Sequence, residues 1–213
     1  AGRKFLPYAE NILNTWNRAR QEIAVPDSAE ALLSIAALPS IWDIFLEDWL
    51  EWAHKNNKSI ALLTDIMSGD SILRSILDGM IDIGFVFDPP KTPQLLIKEL
   101  RPSPLIMVSS YPGLTSNAAV NEDYVYIDWG TSFAMAHARE YPDAPPPVLR
   151  ANVGRIALSF INNCGGTAYL PEAMVKEQIG STLHKVDDAP VIQKDTYAIY
   201  SKTSTKLQVI NQV

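Results

Sequence analysis

Apolar residues in the first 24 positions recur in alternating steps of four and three, at Phe5, Ala9, Ile12, Trp16, Ala19 and Ile23. That spacing predicts one long helix with a narrow apolar seam, and such a seam is satisfied by a second helix lying along it. The chain's own body is the alternative partner. At 1.5 Å per residue the helix would run about 36 Å. "VPDSAE" (25–30) then breaks the period with Pro26, Asp27 and Ser28 and reads as a connector.

Beyond the connector, short apolar runs alternate with amphipathic ones. Strands are predicted at 32–37, 60–64 and 81–87. Between them lie a helix with the buried stripe Trp42, Phe45, Leu46, Trp49, Leu50 and Ala53, and a second helix over 71–80. Strand, helix, strand, helix, strand is the pattern of a parallel sheet with crossover helices. The second half repeats the logic, with strands at 104–110, 124–128, 148–152, 165–171 and 196–201 and helices at 133–141, 153–163 and from 204 to the end. "YPDAPPP" (141–147) reads as a rigid loop. Two α/β lobes of about 80–100 residues each suit this length better than one continuous sheet.

Composition narrows the class. Apolar residues make up 47% and charged residues 20%, the balance of a globular protein. No apolar run reaches the roughly 18 residues that span a bilayer, and no signal peptide is present, so no membrane role is expected. The single cysteine, Cys164, excludes an internal disulfide and a Cys-built metal site, and suits a reducing cytoplasm. The net charge of −6 is uneven: residues 1–24 carry four basic and two acidic side chains, which leaves −8 on the rest. An acidic body is unsuited to gripping phosphates, whereas a mildly basic arm fits a position nearer to DNA.

In α/β sheets ligands gather outside the carboxyl ends of strands, where helix N-termini point. Three turns carry suitable residues. "LPSIWD" places Ser40 three residues before Asp43, a capping-box spacing that opens the Trp42 helix. "DIMSGDS" (65–71) is a polar turn before the helix at Ser71, and "DWGTSF" (128–133) leads Gly130, Thr131 and Ser132 into another. Together they suit a small anion or carboxylate, with Trp129 and Phe133 as apolar walls. The plainer roles are helix caps for Ser40, Ser71 and Ser132 and a buried anchor for Trp129. His137 shares the helix face of Phe133, where a structural and a ligand role are both open.

Enzyme signatures are missing. The sequence has no G-x-S-x-G, H-E-x-x-H, P-loop or G-x-G-x-x-G, and His54, His137 and His184 lack metal-ligand spacing. Nothing local supports a Cys164–His137 nucleophile pair. The expectation is no catalysis, no cofactor and no metal.

Three segments carry a family resemblance. "AGRKFLPYAENILNTW" resembles the linker helix of LysR-type transcriptional regulators. "SILRSILDGMIDIGFVF" is similar to that family's "L…L…G…L-D-L-A-I" element, with Asp82 at the Asp position. "INNCGGTAYLPEAMV" resembles its "G-x-G-I-A-x-L-P" element, with Gly166 and Pro171 in place and Thr167 where an apolar residue is usual. "LPYAENILNTWNRARQEIA", "IWDIFLEDWL" and a "W-G-x-x-F-x-x-x-H" segment from Trp129 to His137 are similar to a subgroup that represses the flagellar master operon.

The resemblance implies two Rossmann-like lobes in the periplasmic-binding-protein (type 2) arrangement behind a linker helix. Residues 1–24 would form that helix, 28–101 plus 190–213 the first lobe and 102–189 the second, with crossing strands near 87–100 and 186–196. It implies a small-molecule effector in a cleft between lobes, contacted by Ser40, Ile41, Met67, Ser68, Trp129, Gly130, Thr131, Ser132, Phe133 and His137. It implies a homodimer or homotetramer held through Phe5, Ala9, Ile12, Trp16, Ala19 and Ile23, in the cytoplasm. DNA would be reached only through a winged helix-turn-helix domain that precedes this chain in the family. A solute-binding protein of a transport system is the alternative reading of the same fold.

Overall fold

The computed structural model describes residues 2–23 and 29–213. Most of the connector expected at 25–30 lies outside the described residues. The opening helix α1 spans Gly2–Ile23 as its periodicity demands. Its seam is open to solvent: Phe5 is 64% and Trp16 62% exposed, and Ile12 and Ile23 are exposed as well. Ala9 and Ala19 are partly covered.

In chain order there follow β1 (Ala31–Ala37), α2 (Pro39–Ile41), a π-helical turn (Trp42–Leu46), α3 (Glu47–Asn56), β2 (Ile60–Ile66), α4 (Gly69–Leu77), β3 (Ile83–Val86) and β4 (Leu95–Glu99). Next come β5 (Ser103–Ser109), α5 (Ser116–Asn121), β6 (Val125–Ile127), α6 (Thr131–Glu140), β7 (Leu149–Ala151), α7 (Gly154–Cys164) and β8 (Thr167–Pro171). The chain finishes with α8 (Glu172–Val175), β9 (His184–Lys185), β10 (Ile192–Lys194), β11 (Tyr197–Ser201) and α9 (Leu207–Ile210). These elements form two compact units: residues 1–38, 47–98 and 197–213, and residues 39–46 and 99–196.

The first unit is built on a five-stranded sheet in the order β2-β1-β3-β11-β4. β1 runs parallel to β2 and β3, and β11 returns antiparallel to β3. Ala36, Ile72, Ile76, Ile81, Val86, Leu95 and Ile199 form its core. Gly84 lets α4 lie close on β3, because a Cβ there would collide with Ile72 and sit 2.8 Å from Ile76. Ser68 caps α4 by accepting from Ser71 N, and Gly79, at φ +70°, turns the chain out of it. The Trp49 indole donates to Val213 O at 3.1 Å and its ring meets Phe85 edge-on, which fixes the chain's last residue to α3.

Asp82 ties this unit together electrostatically. Its buried carboxylate accepts from Ser34 N at 2.8 Å and from Lys206 Nζ at 3.0 Å, and Lys206 also donates to Leu32 O at 2.8 Å. The C-terminal segment is thereby joined to β1 and to the entry of β3.

The second unit has a different sheet. β5 pairs antiparallel with β8, β9 and β10, while β6 and β7 form a parallel pair that a Tyr124–Thr167 bridge joins to β8. The second half therefore does not repeat the parallel pairing of the first. Alternation of apolar and polar positions marks a strand's existence and faces, and carries no information on the direction of its neighbour. Its core gathers Leu105–Val108, Ala168–Leu170, Trp129 and Phe133.

Three further expectations are corrected. The stripe from Trp42 to Ala53 is not one helical face: a π turn over Trp42–Leu46 shifts its phase, and its two halves belong to different units. Residues 39–46 pack with the second unit, and the return to the first falls at 196/197, so the structural units differ from the lobe limits expected at 101/102 and 189/190. The terminal helix shrinks to Leu207–Ile210, and α5 and α8 come without a long periodic signal, being 6 and 4 residues long.

Asp82→Ala should lower the unfolding free energy in urea by about 3 kcal/mol, because it removes the carboxylate that pairs with the Lys206 amine and accepts from the Ser34 N–H. Replacing Asp82 and Lys206 together by apolar residues should restore part of that loss.

Candidate functional site

The segment 39–46 meets the N-termini of α6 and α7 within the second unit. Ser40 does not cap its own helix. Its buried hydroxyl donates to Asn152 O at 2.7 Å, with Asp128 O 3.2 Å away, and so holds α2 against the turns that open both helices. Asp43 does not close a capping box with Ser40 either. Its carboxylate, 2% exposed, accepts from Gly154 N at 2.6 Å and Arg155 N at 3.3 Å and takes the Arg155 guanidinium at 2.9 Å. The negative charge thus occupies the N-terminus of α7, where unpaired N–H groups and the helix dipole favour it. The capping-box spacing is overruled because both side chains bond distant segments in place of their own backbone.

The N-terminus of α6 is built differently. Gly130, at φ +89°, is the N-cap and brings no side-chain bond, and Asp128 Oδ1 accepts from Gly130 N at 2.9 Å. Thr131 and Ser132 are exposed at the first turn. Lys194, buried on β10, donates to Ser132 Oγ at 2.7 Å. The structure therefore sets a cation beside hydroxyls at a helix N-terminus, an arrangement suited to a carboxylate or a small inorganic anion. Lys194 escapes a sequence reading, since one lysine in "IQKDT" has no period or motif around it.

Other predicted contacts are dispersed. Trp129 and Phe133 are fully buried, with the indole donating to Tyr169 O at 3.0 Å, so both rings belong to the core and present no wall. Ile41 is buried in the second unit as well. Met67 and the exposed Ser68 lie in the first unit at the start of α4, where Met67 N donates to Ala37 O and Ser68 Oγ to Ser71 Oγ. Thr167 is buried and donates to Ala119 O, a structural bond. Gly166, at φ +130°, admits no side chain, because a Cβ would lie 2.6 Å from Asp123 O.

His137 sits among aromatic rings. Tyr124 stacks on it at 5.4 Å, while Tyr126, Phe133, Tyr141 and Tyr169 surround it at tilted or edge-on angles. Tyr169 donates to Pro190 O at 3.1 Å and so accepts from Tyr141, 3.0 Å away. Burial pushes the Tyr124, Tyr141 and Tyr169 hydroxyls up and keeps them protonated. Burial, and secondarily the Arg150 charge, holds the His137 imidazole below its usual range. On one side of the cluster opens a cleft of about 430 Å³ whose mouth carries Arg150 and the prolines of 142–147.

No group of three or more His, Cys, Asp or Glu that could hold a metal is found among the described residues. No described helix is long and apolar enough to cross a membrane.

Comparison with known proteins bears on this arrangement. The family profile described as the LysR substrate binding domain matches residues 26–212. An HTH-type transcriptional regulator HdfR of Yersinia enterocolitica is 28% identical over the whole chain, which covers 75% of that protein, and one of Yersinia pestis is 27% identical with the same coverage. Among solved structures, the LysR family transcriptional regulator CbnR superposes with a TM-score of 0.72 at 17% identity, covering 100% of this chain and 78% of that one. The regulatory domain of HypT from Salmonella typhimurium gives 0.72 at 16% identity, covering 87% and 93%.

Asp43→Ala should destabilise the second unit by about 1–2 kcal/mol through loss of the α7 cap, read by chemical unfolding. The depressed His137 makes folding weaken as pH falls from its unfolded value near 6.5 toward its folded one, since only the unfolded chain takes up the proton there. His137→Phe should flatten the slope of Tm against pH in that window and leave the slope above pH 7 unchanged.

Proposed function

The chain belongs to the family of LysR substrate-binding domains, and on that footing we propose that it senses a small anionic effector at the α6 N-terminus and acts as a self-associated unit of a transcriptional regulator. Its fold is the type 2 periplasmic-binding-protein fold of LysR regulatory domains. Relatives matching it from end to end are transcriptional regulators, which disfavours the transport-protein reading. The observation that carries the effector site is the buried Lys194 amine bonded to Ser132 beside the exposed Thr131. Ser40 and Asp43 support it by locking the neighbouring turns.

A ligand acts on such a regulator only through different affinities for two states of the molecule. The effector would shift that balance and leave unchanged, without catalysis. DNA recognition would fall to a helix-turn-helix segment of the kind that gives the HdfR relatives their name, since this chain is acidic overall. A cytoplasmic location follows from that role. Self-association would use the open seam of α1, with Phe5, Ile12, Trp16 and Ile23 as its large apolar members and Ala9 and Ala19 as close-approach positions.

A thermal-shift panel of small carboxylates and inorganic anions should raise Tm, Ser132→Ala and Thr131→Val should reduce the gain, and the compound should be recovered unaltered. No stabilisation by any anion, or recovery of a changed compound, would end this reading. Phe5→Glu with Trp16→Glu should lower the mass measured by sedimentation equilibrium to that of one chain; an unchanged mass would place the interface elsewhere.

A further inference from the structure

We propose that the second unit holds a separate binding site for a monocyclic aromatic acid, in the cleft between α6 and the proline loop. The cleft measures about 430 Å³, within the range of about 300–1,000 Å³ that small-ligand sites occupy. Its lining is ring-rich, with Tyr124, Tyr126, His137 and Tyr141 together with the Pro145–Pro147 run. Ala134, His137, Ala138 and Tyr141 project from α6 at helical spacing, so one face of that helix forms the floor. Small alanines leave the room that the rings would otherwise fill.

Two features point to a ligand beyond shape. Tyr124 and His137 are 97% and 92% buried, and the Tyr124 hydroxyl and His137 Nε2 have no hydrogen-bond partner. Orphaned polar atoms behind an apolar cleft are uncommon, because each has given up water without replacement. A ligand hydroxyl that reaches them, after a small shift of the two rings, supplies the missing bond. The second feature is Arg150. It is the one permanently charged side chain of the lining, is exposed at the mouth, and stacks 4.6 Å above the Tyr126 ring. Its fork is oriented by that stacking and suits a carboxylate. A ring that stacks among tyrosines and prolines, an acid group at the mouth and a hydroxyl at the far end describe a hydroxybenzoate.

This cleft is distinct from the α6 N-terminus. Neither Ser132 nor Lys194 lines it, and His137 lies five positions after Ser132 along the helix, about 7.5 Å of rise. The proposal does not depend on the anion site proposed above.

The test is calorimetric titration of the purified chain with 4-hydroxybenzoate, benzoate and cyclohexanecarboxylate. 4-Hydroxybenzoate should bind more tightly than benzoate, and cyclohexanecarboxylate at least tenfold more weakly than either. Arg150→Gln, a change at an exposed side chain, should weaken both aromatic acids at least tenfold. His137→Phe should remove the advantage of 4-hydroxybenzoate over benzoate. In the unsubstituted chain, ligand ring protons should show NOEs to the rings of Pro145–Pro147. No binding at millimolar concentration, equal binding of the alicyclic acid, or binding indifferent to Arg150→Gln would overturn the proposal. Loss of binding with Ser132→Ala alone would assign the acid to the α6 N-terminus and overturn it equally.

Discussion

Unpaired N–H groups at the start of a helix must find acceptors, and in the second unit that need is met from a distant stretch of chain. Asp43 reaches 111 residues ahead to the first turn of α7, and Ser40 reaches the carbonyl of Asn152 beside it. The bonds to Asn152 O and Gly154 N are partly buried, while the Arg155 contacts of Asp43 lie open to solvent. They take residues 39–46 out of the unit that surrounds them in sequence and place them against the turns that open α6 and α7. A π turn over Trp42–Leu46 ends this segment, and the chain passes back to the first unit directly after it.

α7 is capped by Asp43, whereas at the start of α6 Asp128 Oδ1 accepts from Gly130 N. There Gly130 contributes no side chain, Ser132 is held by the buried Lys194, and Thr131 stands exposed. Each N-terminus has one of the protein's own carboxylates beside it, and that of α6 has the Lys194 amine as well. That additional cation is the electrostatic difference on which the proposed anionic effector site rests.

The aromatic cluster behind α6 has a different logic. Trp129, Phe133 and Tyr169 are core residues whose packing sets the helix on the sheet. Tyr141 and Tyr169 form a closed relay of hydroxyls ending at Pro190 O. Tyr124 and His137, at the border of the same cluster, have polar atoms that the relay does not reach. A core this rich in hydroxyl-bearing rings stays stable only where each hydroxyl finds a partner, and the two exceptions lie together beside the proline loop.

Much of this was legible in the sequence. The 3.5-residue seam of α1, the runs that became β1, β2, β3, β5 and β8, and the amphipathic pattern of α4, α6 and α7 each depend on near neighbours, and periodicity records near neighbours directly. The motif around Asp82 and the Gly166–Pro171 element were enough to suggest the family as motifs, although the constraints on them are long-range: a Cβ on Gly166 would meet Asp123 O, and Asp82 bonds Ser34 and Lys206. The polar turns at Ser68 and at Gly130–Ser132 were likewise visible as turns.

Tertiary structure alone decided which turns come together and what each polar group there does. Ser40 and Asp43 looked like a cap for their own helix and became fasteners for other segments. Trp129 and Phe133 looked like walls and became core. Lys194, Arg150 and the tyrosines around His137 gave no signal at all. The physical reason is common to them. Burial and long-range hydrogen bonding depend on groups 40 to 110 residues apart, and no local pattern of amino acids encodes which distant acceptor a side chain will meet.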